Sequence, residues 1–330
     1  MSRPQVIITD FITPPLEIET KILGGTADVQ ALNARSEAEL QGRIEQASAL
    51  MVYHFISLTR QTIERLEQCK LIVRCGVGYD NIDWAAARER GIPVANVPDY
   101  GAEEVADSAI GLALALTRGI HYLQNRLQRG AGPWIYTQVK PLTRLRGRVF
   151  GIIGLGNIGI ATALRAKALG MRVMFYDPYV GDGRDKALGI THCDTLEEML
   201  EQSHVVSVHC PRTPETQHLI NARTLALMPP GSYLVNTARG GVVDSVALLD
   251  AIVQGHLRGA GLDVLETEPP REDDPLILAW RNPDHPAHDR IIINPHAAFY
   301  SEEGLDDMRI KGSQNCLRVL QGRPPRNVVN

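Results

Sequence analysis

The stretch Val149-Phe150-Gly151-Ile152-Ile153-Gly154-Leu155-Gly156-Asn157-Ile158-Gly159 does most to constrain what this chain can fold into. An apolar run breaks on glycines and continues into helix formers over 161–169, which predicts a buried strand, a tight turn and a helix. The spacing Gly154-x-Gly156-x-x-Gly159 has a mechanical reading. Gly154 permits the turn, Gly156 lets a pyrophosphate reach the backbone, and Gly159 lets helix and strand pack closely. With Leu155, Asn157 and Ile158 between them, the helix start offers N–H groups and a positive dipole end to phosphates. A second strand, 171–176, ends in Asp177, about 20 residues on, where the dinucleotide fingerprint places its ribose-binding carboxylate. A carboxylate there repels a 2′-phosphate, so NAD(H) is expected over NADP(H).

At 330 residues the chain has room for two domains, each with its own core. Ahead of residue 96, apolar β-rich runs at 6–8, 50–53, 71–73 and 93–95 alternate with helical patterns at 36–47, 62–68 and 84–89. That alternation predicts a parallel sheet covered by helices. Ligands of such sheets sit beyond the carboxyl ends of the strands, which singles out Tyr53-His54 and Arg74-Cys75-Gly76-Val77-Gly78-Tyr79. Asn96-Val97-Pro98-Asp99-Tyr100-Gly101 reads as a hinge, and one long helix is expected over 103–127. Its centre, Ile110-Gly111-Leu112-Ala113-Leu114-Ala115-Leu116, is apolar on every face and must be covered all round. A homodimer is therefore expected, with Trp134-Ile135-Tyr136 as a second contact. Further strands are expected at 149–153, 172–176, 205–209, 233–236, 259–263 and 291–294, enough for a complete doubly wound dinucleotide-binding domain. Leu305, Met308, Cys316, Leu317 and Leu320 then line one face of a closing helix.

The remaining composition narrows the classes. A net charge of −4 argues against direct nucleic-acid binding, and no apolar run approaches the roughly 20 residues that span a bilayer. Met1-Ser2-Arg3-Pro4 leads straight into a strand, so no signal peptide is expected. Cys69, Cys75, Cys193, Cys210 and Cys316 are dispersed and odd in number, which suits a cytoplasmic protein. None has zinc spacing, and His285 with His288 reads as a solvated loop, so no metal is expected.

Three expected strand ends carry polar residues where such a sheet presents them to a nicotinamide. They are Asn236-Thr237-Ala238-Arg239-Gly240-Gly241, Asp263-Val264-Leu265-Glu266-Thr267-Glu268-Pro269 and Asn294-Pro295-His296-Ala297-Ala298-Phe299. Together they supply a cation, a carboxylate and an imidazole. Hydride transfer at a carbinol carbon beside a carboxylate needs that set: a base for the hydroxyl proton, an acid to hold the base, and an arginine for the carboxylate.

Several further motifs stand in order: Arg74-x-Gly76-x-Gly78-Tyr79-Asp80-Asn81-Ile82-Asp83, Glu103-Glu104-Val105-Ala106-Asp107-Ser108, Phe175-Tyr176-Asp177-Pro178-Tyr179, Asn236 through Asp244, and His296-Ala297-Ala298-Phe299-Tyr300-Ser301. With them the chain resembles the D-isomer-specific 2-hydroxyacid dehydrogenases over essentially its whole length, and within that family the C-terminal-binding-protein branch. The resemblance implies an α/β protein of two doubly wound parallel-sheet domains. A Rossmann NAD-binding domain, 100–300, with a dimerisation helix and arm, would be inserted into a flavodoxin-like substrate domain, 1–99 and 301–330. It implies an NAD-dependent oxidoreductase that interconverts a small D-2-hydroxy acid and its 2-oxo acid. Arg239 is then the substrate-binding arginine, and Glu268 pairs with His296, the proton donor and acceptor beside the cofactor. Asp263 would hold the nicotinamide carboxamide with the backbone at Thr237 and Ala238, and Cys210, Pro211 and Thr216 would belong to the loop over the cofactor. Arg74 and the amides of Val77 and Gly78 would form a second clamp on the substrate carboxylate, with Tyr53 and His54 lining the pocket. Phe299 stands where the C-terminal-binding proteins have tryptophan, so the substrate shape is expected to differ. Glu266 is read as an exposed residue, not the catalytic acid.

Two other functions share this scaffold: an NAD(H)-binding corepressor-like scaffold that takes peptide motifs, and a phosphite- or formate-type dehydrogenase. The 96–100 and 210–216 segments resemble those of metabolic enzymes, and no long tail follows the closing helix, which favours the hydroxyacid reading. Pairing of Glu268 with His296 also suits a substrate that must lose a hydroxyl proton better than it suits formate.

Overall fold

The computed structural model describes residues 3–330; Met1 and Ser2, where the expected leaderless start and first domain begin, lie outside them. The chain divides into two compact units. One runs to Gly101 and resumes over Tyr300–Asn330, and the other is Ala102–Phe299.

The first unit holds β1 (Gln5–Ile8), β2 (Asp28–Ala31), β3 (Ala49–Val52), β4 (Ile72–Arg74) and β5 (Val94–Asn96). All pair in parallel, in the order β2-β1-β3-β4-β5. Ile7, Leu50, Val52, Ile72 and Val94 form one layer of its core, as near-continuous apolar strands of a sheet covered on both faces should. Edge strand β2 was not expected, because half its residues face solvent and its sequence, Asp-Val-Gln-Ala, has no apolar run. The helix expected over 36–47 is only a 3₁₀ turn, Glu37–Leu40. Beyond it the Glu45 carboxylate accepts the Gly42 N–H at 2.9 Å and the Ile44 N–H at 3.1 Å, a side-chain competitor to the helical ladder. The closing helix, Glu302–Leu320, is tied to helix Glu17–Leu23 by a forked pair. Arg309 donates to the fully buried Glu19 carboxylate at 2.7 and 2.8 Å. Breaking one partner of such a pair leaves a buried charge uncompensated, at a loss of about 3–5 kcal/mol.

The second unit holds β6 (Val149–Ile153), β7 (Arg172–Tyr176), β8 (Thr191–His192), β9 (Ser203–Val208), β10 (Ser232–Asn236), β11 (Leu257–Leu262) and β12 (Ile291–Ile293). The sheet is parallel, in the order β12-β11-β10-β9-β6-β7-β8. Six of these strands match the expected runs; β8, two exposed residues long, adds an edge. The long helix expected over 103–127 is broken into Ala102–Thr117 and Ile120–Gln128. Gly119, left-handed with φ 63°, separates them. Val105, Ala109, Leu112, Ala113 and Leu116 are buried on the first helix, whereas Ile110 and Leu114 are only half-buried and Gly111 is exposed. The expected all-round burial is thus met on one side only. No helix among the described residues is long and apolar enough to cross a membrane.

Candidate active site

The order of the seven-stranded sheet reverses between β6 and β9, and the loops leaving these two strands meet there. A Cβ on Gly154 (φ 89°) would lie 2.7 Å from the Cys210 backbone nitrogen, and one on Gly159 would collide with the Gly154 carbonyl. Both glycines are therefore required by close approach. Gly156 differs: nothing lies within 4 Å of where its Cβ would be, and as the first residue before helix Asn157–Ala168 it supplies no side-chain cap. The structure thus has open space at the backbone where the fingerprint places a pyrophosphate. Ile158 follows Asn157 in the first turn.

Asp177 leaves β7 with its carboxylate fixed. Oδ2 accepts the Leu155 N–H at 2.8 Å and Oδ1 the Tyr179 N–H at 3.0 Å. A carboxylate has about four acceptor positions, so two remain for ribose hydroxyls. Tyr179 in turn donates its phenol hydrogen to Glu215, a residue the sequence had not singled out. In the loop after β9, the Thr216 hydroxyl accepts from the Thr213 N–H and donates to the Pro211 carbonyl, both at 2.7 Å; its visible role is to close that loop. Two buried polar atoms at neighbouring strand ends have no partner among the described residues, Nδ1 of His209 and the Thr237 hydroxyl. Burial pushes the His209 imidazole down to about 3, so it stays neutral. Open backbone, fixed carboxylate and orphaned hydroxyl fit a dinucleotide.

After β10 the chain is knotted by Asn236, which accepts the Ala238 N–H at 3.0 Å and donates to the Arg239 carbonyl at 2.9 Å. Arg239 donates to the Ala238 carbonyl at 2.8 Å. A Cβ on Gly240 would collide with the Leu265 and Glu266 backbone. That absence brings the Arg239 loop against the loop carrying Glu268. Glu268 Oε1 accepts the Leu265 N–H at 2.8 Å, and Oε2 stands 2.7 Å from His296 Nδ1. Burial pushes the Glu268 carboxyl up, but the bond and charge of His296, the Leu265 N–H and the Arg239 charge together bring it below its ordinary value.

His296 itself has φ 54°, an uncommon conformation that persists where the surroundings over-determine it. They do. The buried Asp263 accepts the Ala297 and Ala298 N–H groups, each at 2.9 Å, and its carbonyl accepts the His296 N–H at 2.7 Å. Both oxygens of Asp263 are thus engaged in shaping the histidine turn. The Phe299 ring lies edge-on to His296, 6.3 Å between centroids. Glu266 is separate: it pairs with His218 at 2.9 Å and accepts the Ser245 N–H at 3.1 Å.

In the first unit, Tyr53, His54 and Arg74 converge. Buried Arg74 donates to the Cys75 carbonyl at 3.0 Å, and its Nη2 is 3.2 Å from His54 Nδ1. Val77 and Gly78 form the adjoining loop, held where Asn96 donates to the Val77 carbonyl at 2.7 Å. Asn81, which the sequence offered only as part of a family motif, donates to the Tyr53 and Ile56 carbonyls at 3.1 and 2.8 Å. No group of three or more metal-ligand residues occurs among the described residues.

Known proteins resemble this chain in sequence and fold. The sequence profile described as "D-isomer specific 2-hydroxyacid dehydrogenase, NAD binding domain" matches residues 110–298. D-3-phosphoglycerate dehydrogenase of Methanocaldococcus jannaschii is 37% identical over 321 residues, 97% of this chain and 59% of that protein. C-terminal-binding protein 1 of Caenorhabditis elegans is 34% identical over 337 residues, 100% of this chain and 45% of that protein. The chain therefore spans about half the length of these curated relatives. A solved D-lactate dehydrogenase of Aquifex aeolicus, complexed with NAD and lactic acid, superposes with a TM-score of 0.85 at 28% identity, covering 96% of each chain.

Proposed function

Because the chain belongs to the D-isomer-specific 2-hydroxyacid dehydrogenase family, whose NAD-binding domain it carries, we propose that it interconverts a D-2-hydroxy acid and its 2-oxo acid, with His296 moving the proton. The observation that carries this reading is the 2.7 Å contact between His296 Nδ1 and Glu268 Oε2. It assigns Nδ1–H to Glu268 and directs proton exchange with substrate to Nε2. When bound, NAD(H) accepts or supplies the hydride. Arg239 is our candidate for the substrate carboxylate and for polarising the carbonyl. Arg74, the amides of Val77 and Gly78, and the flanking Tyr53 and His54 are proposed as further substrate contacts, with Phe299 shaping the site beside His296. We assign the substrate-domain role to the unit ending in Tyr300–Asn330. For the cofactor we propose Gly154 through Gly159, Asp177, Cys210, Pro211, Thr216, Thr237, Ala238 and Asp263.

The deciding experiment incubates the purified protein with NADH and a broad panel of 2-oxo acids. Reduction of at least one, lost in His296→Gln, supports the reading. If NADH binds and none is reduced, the peptide-binding scaffold takes its place. NAD(H) is proposed over NADP(H) because Asp177 meets a 2′-phosphate with like charge; a preference of at least about tenfold is expected. Equal turnover with NADPH would reject that, and Asp177→Ala should narrow the gap.

A homodimer is proposed from the incompletely covered Ile110, Gly111 and Leu114 and from Trp134 and Tyr136, 88% and 71% exposed. Light scattering at micromolar concentration should give twice the chain mass, and monomer alone would contradict it. The cysteines are all free thiols, and we propose a cytoplasmic setting.

A further inference from the structure

In the five-stranded sheet the order reverses between β1 and β3, and ligands of doubly wound sheets sit beyond the carboxyl ends at such a switch point. At these ends the chain places rings. Phe11 follows β1, and its centroid lies 5.7 Å from Tyr53, 4.9 Å from His54 and 5.7 Å from Phe55, all following β3. Phe11 has φ 68°. That region is strained for a bulky residue, and such outliers cluster at ligand sites.

Asp10 holds the arrangement. It is 0% exposed, and its carboxylate accepts the Tyr53 N–H at 2.9 Å, the Phe55 N–H at 2.6 Å and the Thr9 hydroxyl at 2.6 Å. Both neighbours of His54 are thereby locked, and His54 presents Nδ1 to Arg74 Nη2 at 3.2 Å. One imidazole therefore separates a cation suited to a carboxylate from an apolar ring. These rings are not simply core. Tyr53 is buried, but Phe11 and His54 are half-buried and Phe55 is 52% exposed. Arg35 stacks over Phe55, its guanidinium carbon 5.5 Å from the ring centroid, which stiffens the ring.

Resting on the hydroxyacid reading above, we propose that Phe11 and Phe55 form a side-chain subsite, and that the chain acts on 2-oxo acids bearing a large apolar or aromatic side chain in preference to small or phosphorylated ones. Phe11 supplies an ordered apolar face next to the anion locus, and Phe55 extends it outward. A polar or phosphorylated side chain gains nothing from such a surface, whereas each apolar group removed from water there improves transition-state binding.

The test compares kcat/KM with NADH for phenylpyruvate and 4-methyl-2-oxopentanoate against glyoxylate, pyruvate and 3-phosphohydroxypyruvate. Phenylpyruvate should exceed glyoxylate at least about tenfold, equivalent to about 1.4 kcal/mol. Phe11→Ala should lower kcat/KM for phenylpyruvate about tenfold and leave glyoxylate within about twofold. Phe55→Ala, at an exposed position where folding is not at stake, should show the same selectivity. Preference for glyoxylate or the phosphorylated acid, equal losses on all substrates, or no loss on phenylpyruvate overturns the subsite and leaves the hydroxyacid reading standing. Reduction of no 2-oxo acid overturns both.

Discussion

His54 and His296 stand in different units on the same kind of support. Each lies just past a strand, beside a residue of left-handed backbone or in that conformation itself, above a buried aspartate that ties down successive or flanking amides. Asp10 holds Tyr53 and Phe55 around His54; Asp263 holds Ala297 and Ala298 after His296. What differs is the charge each ring meets. Nδ1 of His296 faces the Glu268 carboxylate, and Nδ1 of His54 faces the Arg74 guanidinium. A carboxylate partner takes the Nδ1 hydrogen and leaves Nε2 to face outward, an arrangement that suits proton transfer. A guanidinium needs an acceptor, so the opposing nitrogen must carry a lone pair, which suits a fixed, neutral wall of an anion site. One kind of support thus presents an imidazole to opposite charges in the two units.

The largest test of that contrast is to make the same substitution at both rings. His296→Gln removes the proton carrier we propose and should lower kcat/KM for 2-oxo acid reduction about 10²–10⁴-fold, with NADH affinity within about threefold by fluorescence titration. His54→Gln keeps a neutral acceptor for Arg74 and should act mainly on KM, raising it up to about tenfold. Comparable kcat losses from the two changes would end the distinction.

The next test addresses the shared support. Asp263→Asn and Asp10→Asn each replace an acceptor of two amide hydrogens by a group that can accept only at one end. Each should destabilise its unit by about 1.5–3 kcal/mol, read as a lower urea midpoint. Their kinetic signatures should diverge: Asp263→Asn should lower kcat on every 2-oxo acid, whereas Asp10→Asn should raise KM most for substrates with large side chains. Identical profiles would show that the aspartates matter for folding alone.

The asymmetry also explains what the sequence disclosed. The glycine turn, Asp177 and the ends of β10, β11 and β12 were readable because each depends on spacing within one strand-and-loop unit. Arg239, Glu268 and His296 stand in three such units, whose polar ends a parallel sheet carries to one edge; the family resemblance singled out these three among them. Asp10 and Phe11 gave no such signal. Their meaning depends on β1 lying beside β3, a pairing between segments some forty residues apart, and on a backbone angle that Phe does not advertise. The Tyr179 bond to Glu215 was hidden for the same reason. Strand β2 was missed because edge strands need no apolar run, and the 36–47 helix was overcalled because the Glu45 side chain satisfies backbone groups that periodicity assigns to a ladder.

The smallest effect is in pH, and it bears on the carboxylate that His296 faces. Glu268 is held below its ordinary value of 4.5. A lowered carboxyl is charged above that ordinary value and loses its contribution only as pH falls through the lower, folded value. The His296–Glu268 pair should therefore remain intact on the way down to pH 4.5. A carboxyl at its ordinary value would be half protonated there, with a twofold loss of the productive form, so the expected fall in kcat for 2-oxo acid reduction between pH 6 and 4.5 is less than about twofold. Circular dichroism must show the fold intact at each pH. A reduction rate that drops well beyond twofold in folded protein would mean that Glu268 is not held in its charged form by His296, the Leu265 amide and Arg239.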